Sequence, residues 1–490
     1  MTRKRVVVIG GGIAGLSAAY ELTGGDSADG LLDVTVLEAA PAFGGKLRAD
    51  TFEGVEVDLG PDGFLARRPE ATALARALGL GEELRTPGQM GASVLARGKV
   101  RPLPQGLSIG VPTRWRSLRA AKVLSWPALL RAGLDVVAPR HDLRGPLGDR
   151  AIGPLVAQKL GQQVVDVLVD PMLGGIHAGR VADMSAASVF PPLLEAAGQP
   201  GSLMHALRRA MPAPPPPAEG AAPSPVFYAL NGGMTTLVDR LVEVLTARGV
   251  ELRTDAPVTE LTRTDLGGIA WTLSLNGELL GADAVILATP APQAAALLEP
   301  IEPDVAGLLH QVDYASVALV TFSFDDDALP GDLFGTGLLI PATSTRRGGG
   351  SFLATAVTYL SAKWPHVKVP GRSFIRVSAG RIDDHRIDEL NDQELAAALG
   401  DELDELLALS SAPHAVRVQR WHDALPQYRV NHQLKVAGIE AGVHRLPGLE
   451  VAGAAYDGVG IPACIGSGRR SGRLAAASLG VRPALPEDLR

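Results

Sequence analysis

A glycine-rich turn near the N-terminus has the spacing of a phosphate-binding loop. Gly10, Gly12 and Gly15 form a GxGxxG pattern between an apolar, β-branched run at 5–9 and a stretch of helical spacing at 14–22. The first glycine permits a tight turn, the second lets a pyrophosphate approach the backbone, and the third lets helix and strand pack closely. Free N–H groups at the helix N-terminus then favour an anion. The pattern predicts a nucleotide phosphate site.

An acidic residue stands where the ribose of a dinucleotide would be bound. Glu38 ends the next apolar run, 33–37, and follows Gly15 by about the 20 residues typical of ribose-binding acids. A GxGxxG pattern alone also occurs in glycine turns that bind nothing. Strand, turn, helix and acid in this order favour a dinucleotide over that alternative.

A second glycine pair bears on which dinucleotide is bound. Gly44 and Gly45 precede Lys46 and Arg48, and a similar segment follows the ribose-binding acid in FAD proteins of the amine-oxidase type. Both side chains can place positive charge beside a pyrophosphate, or can be solvated loop charges. The combination favours FAD over NAD.

A third glycine segment lies near the C-terminus. A strand at 449–453 leads through 456–462 into a helix that we expect to begin at about Cys464. If its N-terminus points at the flavin ring, its N–H groups and dipole stabilise the negative edge of reduced flavin. The alternative is an ordinary strand-to-helix connection. Cys464 itself is expected to be a small packing residue rather than a redox group.

Composition narrows the class of protein. A chain of 490 residues predicts two or three domains, and a net charge of −7 argues against nucleic acid as the main partner. The single cysteine excludes an internal disulfide and fits a reducing compartment. No secretory signal, no apolar run long enough to span a bilayer and no HExxH-type metal pattern are found. We therefore expect a cytoplasmic protein without a metal site.

The order of elements predicts an α/β (α+β overall) fold of discontinuous domains. Residues 1–65, 226–300 and 440–490 are assigned to a Rossmann-type FAD-binding domain. Residues 66–104 and 301–439 form an inserted mixed-sheet substrate domain. Residues 105–225 form a helical insertion that ends in a Pro/Ala-rich linker at 211–225. Asn391 and Glu394 have capping-box spacing at the start of a predicted helix.

The chain resembles the oxygen-dependent porphyrinogen oxidases, FAD enzymes related to monoamine oxidase. The resemblance covers essentially the whole chain and depends on the order of several modest motifs. These are the glycine turn with Glu38-Ala39 and Gly44-Gly45-Lys46, followed by 58–68, 169–179, 231–237, 282–290 and 453–468.

The resemblance implies a set of cofactor contacts beyond the glycine turn. Trp421 could equally be a packing residue, whereas Val258 begins a strand that returns towards the nucleotide. The predicted FAD-binding residues are Gly10, Gly11, Gly12, Ile13, Ala14, Gly15, Glu38, Ala39, Lys46, Gly60, Pro61, Asp62, Gly63, Val258, Trp421, Val459, Gly460 and Ile461.

The resemblance also implies a reaction. A porphyrinogen loses six hydrogens in three two-electron steps, with hydride uptake by the flavin, O2 as acceptor and release of H2O2. The cofactor supplies the chemistry, so no catalytic acid or base is predicted. Gly175 and Ile176 are expected to line the substrate pocket, and His177 to pack near its floor.

Propionate groups on the substrate rim require cations. Arg67 and Arg68 follow the 60–63 turn, and a basic run lies at 97–101; either group can instead be solvated surface charge. The animal and plant enzymes carry an arginine just before the position of Val94, and this chain has none there. That departure favours the tetra-acid coproporphyrinogen III over protoporphyrinogen IX.

Other activities remain open from the sequence. An amine oxidase or carotenoid desaturase is the nearest redox alternative, and a flavin-dependent mutase or a prenylated-protein binder uses the same fold without net oxidation. The region 113–137 mixes tryptophan, leucine and arginine. It is expected to line a pocket entrance or to contact an anionic bilayer peripherally. The oligomeric state is not predicted.

Overall fold

Strands and helices alternate at both ends of the chain, as the apolar runs and glycine turns predict. The computed structural model describes residues 3–25, 32–136, 145, 147–211, 225–266 and 269–481. The strands are β1 Lys4–Ile9, β2 Leu32–Leu37, β3 Ala49–Phe52, β4 Val55–Asp58, β5 Phe64–Leu65, β6 Leu84–Arg85, β7 Ser93–Ala96, β8 Lys99–Pro102, β9 Leu107–Ser108, β10 Val111–Pro112, β11 Phe227–Leu230, β12 Glu251–Arg253, β13 Val258–Leu266, β14 Ile269–Leu275, β15 Glu278–Ala282, β16 Ala284–Leu287, β17 Tyr314–Asp325, β18 Gly337–Leu339, β19 Ala354–Tyr359, β20 Arg372–Ala379, β21 Ala415–Pro426 and β22 Leu449–Val451.

The helices concentrate in the middle of the chain and around the first sheet. They are α1 Ile13–Leu22, α2 Pro69–Ala77, α3 Trp115–Ala121, α4 Trp126–Gly133, α5 Ile152–Leu160, α6 Gln162–Val164, α7 Asp170–His177, α8 Ala186–Val189, α9 Pro191–Ala197, α10 Leu203–Ala210, α11 Thr235–Ala247, α12 Ala291–Leu298, α13 Pro303–His310, α14 Leu360–Lys363, α15 Arg386–Glu389, α16 Asp392–Leu407, α17 His432–Val443 and α18 Ile461–Ser478. A π-helical turn at Val165–Val169 precedes α7.

The first sheet is parallel and has the order β12-β2-β1-β16-β22. Strand β16 is wholly apolar and buried, and so is β1 after Lys4 and Arg5, as parallel strands covered on both faces must be. Apolar side chains of α1, α11 and α18 pack on one face, and those of α12, α13 and α17 pack on the other. The predicted Rossmann-type α/β fold is confirmed.

Glycines bring α18 against α1. A Cβ atom at Gly468 would meet the carbonyl oxygen of Ala14, and a Cβ at Gly472 would lie 2.8 Å from the carbonyl oxygen of Ala18. A side chain at either position would push the helices apart. The C-terminal helix is thereby held directly behind the N-terminal glycine turn.

The second large sheet is mixed and has the order β21-β17-β20-β19-β18-β7-β8. Alternate residues of β17 and β20 pack against α16 on one face. On the other face, β20 carries Arg376, which pairs in register with Thr321 of β17 and Thr358 of β19. This second face meets the turn between β4 and β5, because Arg376 donates to the carbonyl of Gly60.

Local predictions for these elements are largely confirmed. Asn391 caps α16, and its side chain and that of Glu394 form a reciprocal capping box. The C-terminal helix begins at Ile461 rather than at about Cys464, because Gly460 already serves as its N-cap and Pro462 fits its first turn. The strands of the first sheet all come from the ranges assigned to the FAD-binding domain, and those of the second large sheet from the ranges assigned to the substrate domain. We therefore propose to keep the predicted division into domains. Most of the predicted linker, 212–224, lies outside the described residues.

Candidate functional site

The N-terminal glycine turn is packed on two sides and open on a third. Gly10 has φ +108°, and a Cβ there would lie 2.7 Å from the carbonyl oxygen of Ala288. A Cβ at Gly15 would meet the carbonyl oxygen of Gly10, whereas one at Gly12 would have open space around it. Ile13 and Ala14 are buried in the first turn of α1. The open side above Gly12 is where a pyrophosphate can approach the backbone.

Glu38 is oriented towards this turn by two backbone groups. The N–H of Gly11 donates to one carboxylate oxygen at 2.7 Å, and the N–H of Ala40 donates to the other at 2.8 Å. Each oxygen retains lone pairs that can accept from ribose hydroxyls. Ala39, between Glu38 and Ala40 in the chain, is exposed. The chain just before Val258 pairs with this segment, because the N–H of Ala256 donates to the carbonyl of Glu38 at 2.9 Å.

Lys46 shows that the site is built for an anion. The N–H of Gly44 donates to the carbonyl of Gly11 at 2.8 Å, so the segment 44–46 lies against the glycine turn. No side chain among the described residues forms a hydrogen bond or ion pair with the Lys46 ammonium, and burial lowers its pKa. A partly buried cation beside a phosphate-binding turn fits the FAD pyrophosphate.

The turn at Gly60, Pro61, Asp62 and Gly63 is fixed by its own acidic residue. The Asp62 carboxylate accepts two bonds of 2.9 Å from the Lys363 ammonium and one of 3.0 Å from the Trp364 indole N–H. Arg376 completes the cluster at 3.1 Å. Burial raises the pKa of Asp62, but the charges of Lys363 and Arg376 outweigh it and hold the pKa below its ordinary value. Its side chain is directed towards the second sheet.

Two residues of the second sheet hold the backbone of this turn. Arg376 donates to the carbonyls of Gly60 at 3.0 Å and Asp58 at 3.2 Å. The Trp421 indole N–H donates to the carbonyl of Leu59 at 2.7 Å. Gly60 also packs on the carbonyl of Lys46. The predicted cofactor residues Lys46, Gly60 and Trp421 therefore lie together.

The C-terminal glycine segment presents the start of an 18-residue helix. Gly460 is the N-cap of α18, Ile461 is its first residue, and Val459 is half-buried before it. Free N–H groups at this end can stabilise negative charge on a reduced flavin. Cys464 is buried, and burial raises the pKa of its thiol to about 11, with Lys46 and Arg68 close enough to oppose the shift. This helix start therefore lies near the Lys46 end of the site.

An uncharged wall adjoins the 60–63 turn. Alternate residues of the second sheet on the face of Arg376 and Trp421 are only half-buried although they lie inside the sheet; they are Val317, Leu319, Leu339, Ala356, Thr358 and Ser378. Gly175 of α7 lies at the edge of this wall, since a Cβ there would be 4.0 Å from the Leu339 side chain, and Ile176 is 52% exposed. Burial lowers the pKa of His177 to about 4, so it is neutral at pH 7.

The two predicted substrate arginines are differently placed. Arg68 forms an ion pair of 2.8 Å with Glu70 while its side chain stays 44% exposed. Arg67 is exposed, and no other described residue forms a hydrogen bond or ion pair with its side chain. The basic run at 97–101 lies on the β7–β8 hairpin at the outer edge of the second sheet. The arginine pair, rather than the β7–β8 hairpin, therefore lies near the 60–63 turn and the start of α18.

Sequence reasoning missed the residues that lock the site together. Lys363, Trp364 and Arg376 lie some 300 positions from Asp62, and no local pattern links them. One signal was present: Arg376 interrupts the apolar alternation of β20, and a charge inside a central strand needs a buried partner. No group of metal-ligating side chains and no helix able to cross a bilayer is found within the described residues.

The fold and the site together define an FAD-dependent oxidoreductase. A family model described as flavin containing amine oxidoreductase matches residues 13–475, and the chain belongs to that family. It is 31% identical to the coproporphyrinogen III oxidase of Bacillus subtilis (95% of this chain, 97% of the relative). It is 30% identical to the protoporphyrinogen oxidase of Macaca fascicularis (98% and 99%). A solved structure from Exiguobacterium sp. 255-15, named as a protoporphyrinogen oxidase, superposes with a TM-score of 0.83 at 31% identity (98% and 100%).

Replacing Lys46 tests the anion site. The substitution Lys46→Met removes a partly buried charge, so we expect the FAD-free protein to be at least as stable as the wild type. The loss of a charged contact should raise the Kd for FAD about 10- to 100-fold. Titration of FAD-free protein with FAD, alongside thermal unfolding, measures both effects. The matched variant Lys368→Met, at an exposed lysine, should change neither, and an unchanged Kd for Lys46→Met would contradict the assignment.

Proposed function

We propose that the chain oxidises coproporphyrinogen III to coproporphyrin III, with O2 as the electron acceptor, in porphyrin and heme biosynthesis. Each substrate molecule would consume three O2 and release three H2O2. The observation that carries the proposal is the uncharged wall beside the 60–63 turn, with an exposed arginine pair at 67–68, just after that turn in the chain. A flat, apolar macrocycle with anionic groups on its rim fits that combination.

The residues of the site have positioning roles in this proposal. Glu38 would hold the ribose, Lys46 and the N–H groups around Gly12 would hold the pyrophosphate, and the 60–63 turn and the start of α18 would hold the flavin ring. Bound FAD supplies the hydride acceptor. No ionised acid or base lies on the uncharged wall as described, and water can take the N–H proton.

The choice between two porphyrinogens depends on the cations. Relatives named coproporphyrinogen III oxidase range from 29% to 35% identity, which brackets the 30% of the protoporphyrinogen oxidase, so identity alone does not decide. The segment Gly91-Ala92-Ser93 lacks an arginine, while Arg67 and Arg68 are available beside the site. Protoporphyrinogen IX oxidation is the alternative, and an amine oxidase or carotenoid desaturase activity is a more distant one.

A two-substrate assay tests the proposed function. Purified FAD-loaded protein is supplied in air with coproporphyrinogen III or protoporphyrinogen IX, and porphyrin fluorescence and H2O2 are followed together. We expect three H2O2 per porphyrin and a higher kcat/KM for the tetra-acid. A higher kcat/KM for the diacid would favour the alternative, and no porphyrin above the FAD-free control would refute porphyrinogen oxidation altogether.

Arg68 and Glu70 offer a test with opposite signs. Because the Arg68–Glu70 pair is half-exposed, it contributes little by itself, and the guanidinium can bind a propionate. Arg68→Ala should raise the KM for coproporphyrinogen III about fivefold, for a screened contact of about 1 kcal/mol. Glu70→Gln frees the arginine and should lower the KM. Arg76→Ala, at an exposed arginine of the same helix, is the control; equal KM values in all variants would make Arg68 a surface charge.

For the region 113–137, the exposed side chains support a surface contact as our proposal over a pocket entrance. Leu118, Val123 and Leu129 are buried, whereas Trp126 and Leu130 are 66% and 65% exposed, one turn apart on α4. Residues 84–134 contain no Asp or Glu. We infer that this surface contacts an anionic bilayer peripherally; Val137 lies outside the described residues.

Vesicle sedimentation tests this contact. Wild-type protein should sediment with vesicles containing phosphatidylglycerol and not with phosphatidylcholine alone. The double variant Trp126→Ser and Leu130→Ser should lose most of this binding, because it removes the exposed apolar side chains. The control variant is Leu279→Ser, at a leucine that is 73% exposed on strand β15 rather than on α4. It should bind as the wild type does. Equal binding by the double variant would contradict the inference.

A further inference from the structure

Two consecutive side chains after β21 contact both the end of α7 and the connection between β22 and α18. The amide of Gln427 donates to the carbonyl of His177, the last residue of α7, at 2.8 Å. The hydroxyl of Tyr428 donates to the carbonyl of Ala454 at 2.5 Å and accepts from the N–H of Gly458 at 2.7 Å. Both side chains are buried. One short segment thus joins α7 to the connection between β22 and α18.

That connection needs an external support. Gly453 and Gly458 have φ +128° and +136°, a region that L side chains avoid, so the chain there is irregular. The Tyr428 hydroxyl bonds the backbone near both ends of this stretch, four residues apart. Its ring is fixed in turn, because it stacks on the His432 ring with centroids 3.9 Å apart and an interplanar angle of 13°.

The other half of the contact fixes the end of α7. Gly179 leaves room for the Gln427 side chain, since a Cβ there would collide with the Gln427 amide oxygen. The N–H of Ile382 donates to the carbonyl of Ala178 at 2.8 Å, so the last turn of α7 is held from two directions. Gly175, whose Cβ position would be 4.0 Å from Leu339 of the uncharged wall, and Ile176 both belong to this last turn.

We propose that Gln427 and Tyr428 are positioning residues that set the spacing between the substrate wall and the flavin. Tyr428 fixes the 453–460 connection, and hence the N–H groups at the start of α18. Gln427 fixes the end of α7, and hence the surface of Gly175 and Ile176. The inference rests on the proposed function, because it takes these two surfaces as the flavin and substrate sides of one site.

A second tyrosine in the same connection provides a matched control. Tyr456 is buried as Tyr428 is, but its hydroxyl has no hydrogen-bond partner in the described residues. Tyr428→Phe and Tyr456→Phe therefore remove the same atom from similar surroundings. Only the first substitution breaks hydrogen bonds to the backbone of the connection.

The Tyr428 arm is measured on FAD binding rather than on turnover. FAD-free protein of each variant is titrated with FAD, and the flavin absorption bands, the midpoint potential of the bound flavin and the thermal unfolding of the FAD-free form are recorded. Tyr428→Phe should raise the Kd about tenfold, for the loss of hydrogen bonds of ordinary strength, and should shift the potential. Tyr456→Phe should match the wild type. Equal Kd and potential in both variants would overturn the role of Tyr428, whatever happens to the unfolding temperature.

The Gln427 arm separates KM from FAD affinity. Gln427→Leu removes the hydrogen bond that the side-chain amide donates to the end of α7. The KM for the porphyrinogen should therefore rise about fivefold, while the Kd for FAD stays at the wild-type value. An unchanged KM, or a raised Kd for FAD, would overturn the role of Gln427. If the wild type oxidises neither porphyrinogen, the proposed function fails, yet the FAD titrations still decide the role of Tyr428.

Discussion

The buried carboxylate of Asp62 is the interaction on which the site depends. It is bonded by Arg376 of the second sheet and by Lys363 and Trp364 at the end of helix α14, while Asp62 belongs to the turn between β4 and β5. Removing one partner of such a pair leaves an uncompensated buried charge, at a cost of about 3–5 kcal/mol. The 60–63 turn is therefore held in one position against the second sheet, where we propose that the flavin and the substrate meet.

The remaining contacts follow from that junction. Arg376 and Trp421 bond the backbone of the 58–60 stretch, and Gly60 rests on the carbonyl of Lys46. Lys46 in turn lies beside the N-terminal glycine turn, against which α18 packs through Gly468. Segments from both ends of the chain and from its middle thus converge, and the glycines are required because backbone atoms approach each other directly. The protein supplies rigid geometry, and the chemistry is left to FAD.

Sequence patterns could predict the parts of the site that are local. The glycine turn, Glu38 and the Asn391–Glu394 capping box each lie within one short segment whose spacing has a known geometric meaning. The roles of Asp62 and Tyr428 could not be predicted in this way, because their partners are distant in sequence and the hydrogen bonds exist only after the sheets pack. Asp62 stays a predicted cofactor contact from its position in the 60–63 turn, while its carboxylate bonds Lys363, Trp364 and Arg376. Arg376 could have been suspected from its place inside a buried strand, but its partner could not.

A crystal structure of the FAD-loaded protein tests the central claim most directly. We expect the pyrophosphate against Gly12 and Lys46, the ribose on Glu38, and the flavin ring between the 60–63 turn and the start of α18. The Asp62 carboxylate should still be bonded to Lys363 and Arg376. A flavin ring bound elsewhere, or an Asp62 side chain turned from the second sheet towards the flavin, would contradict the account.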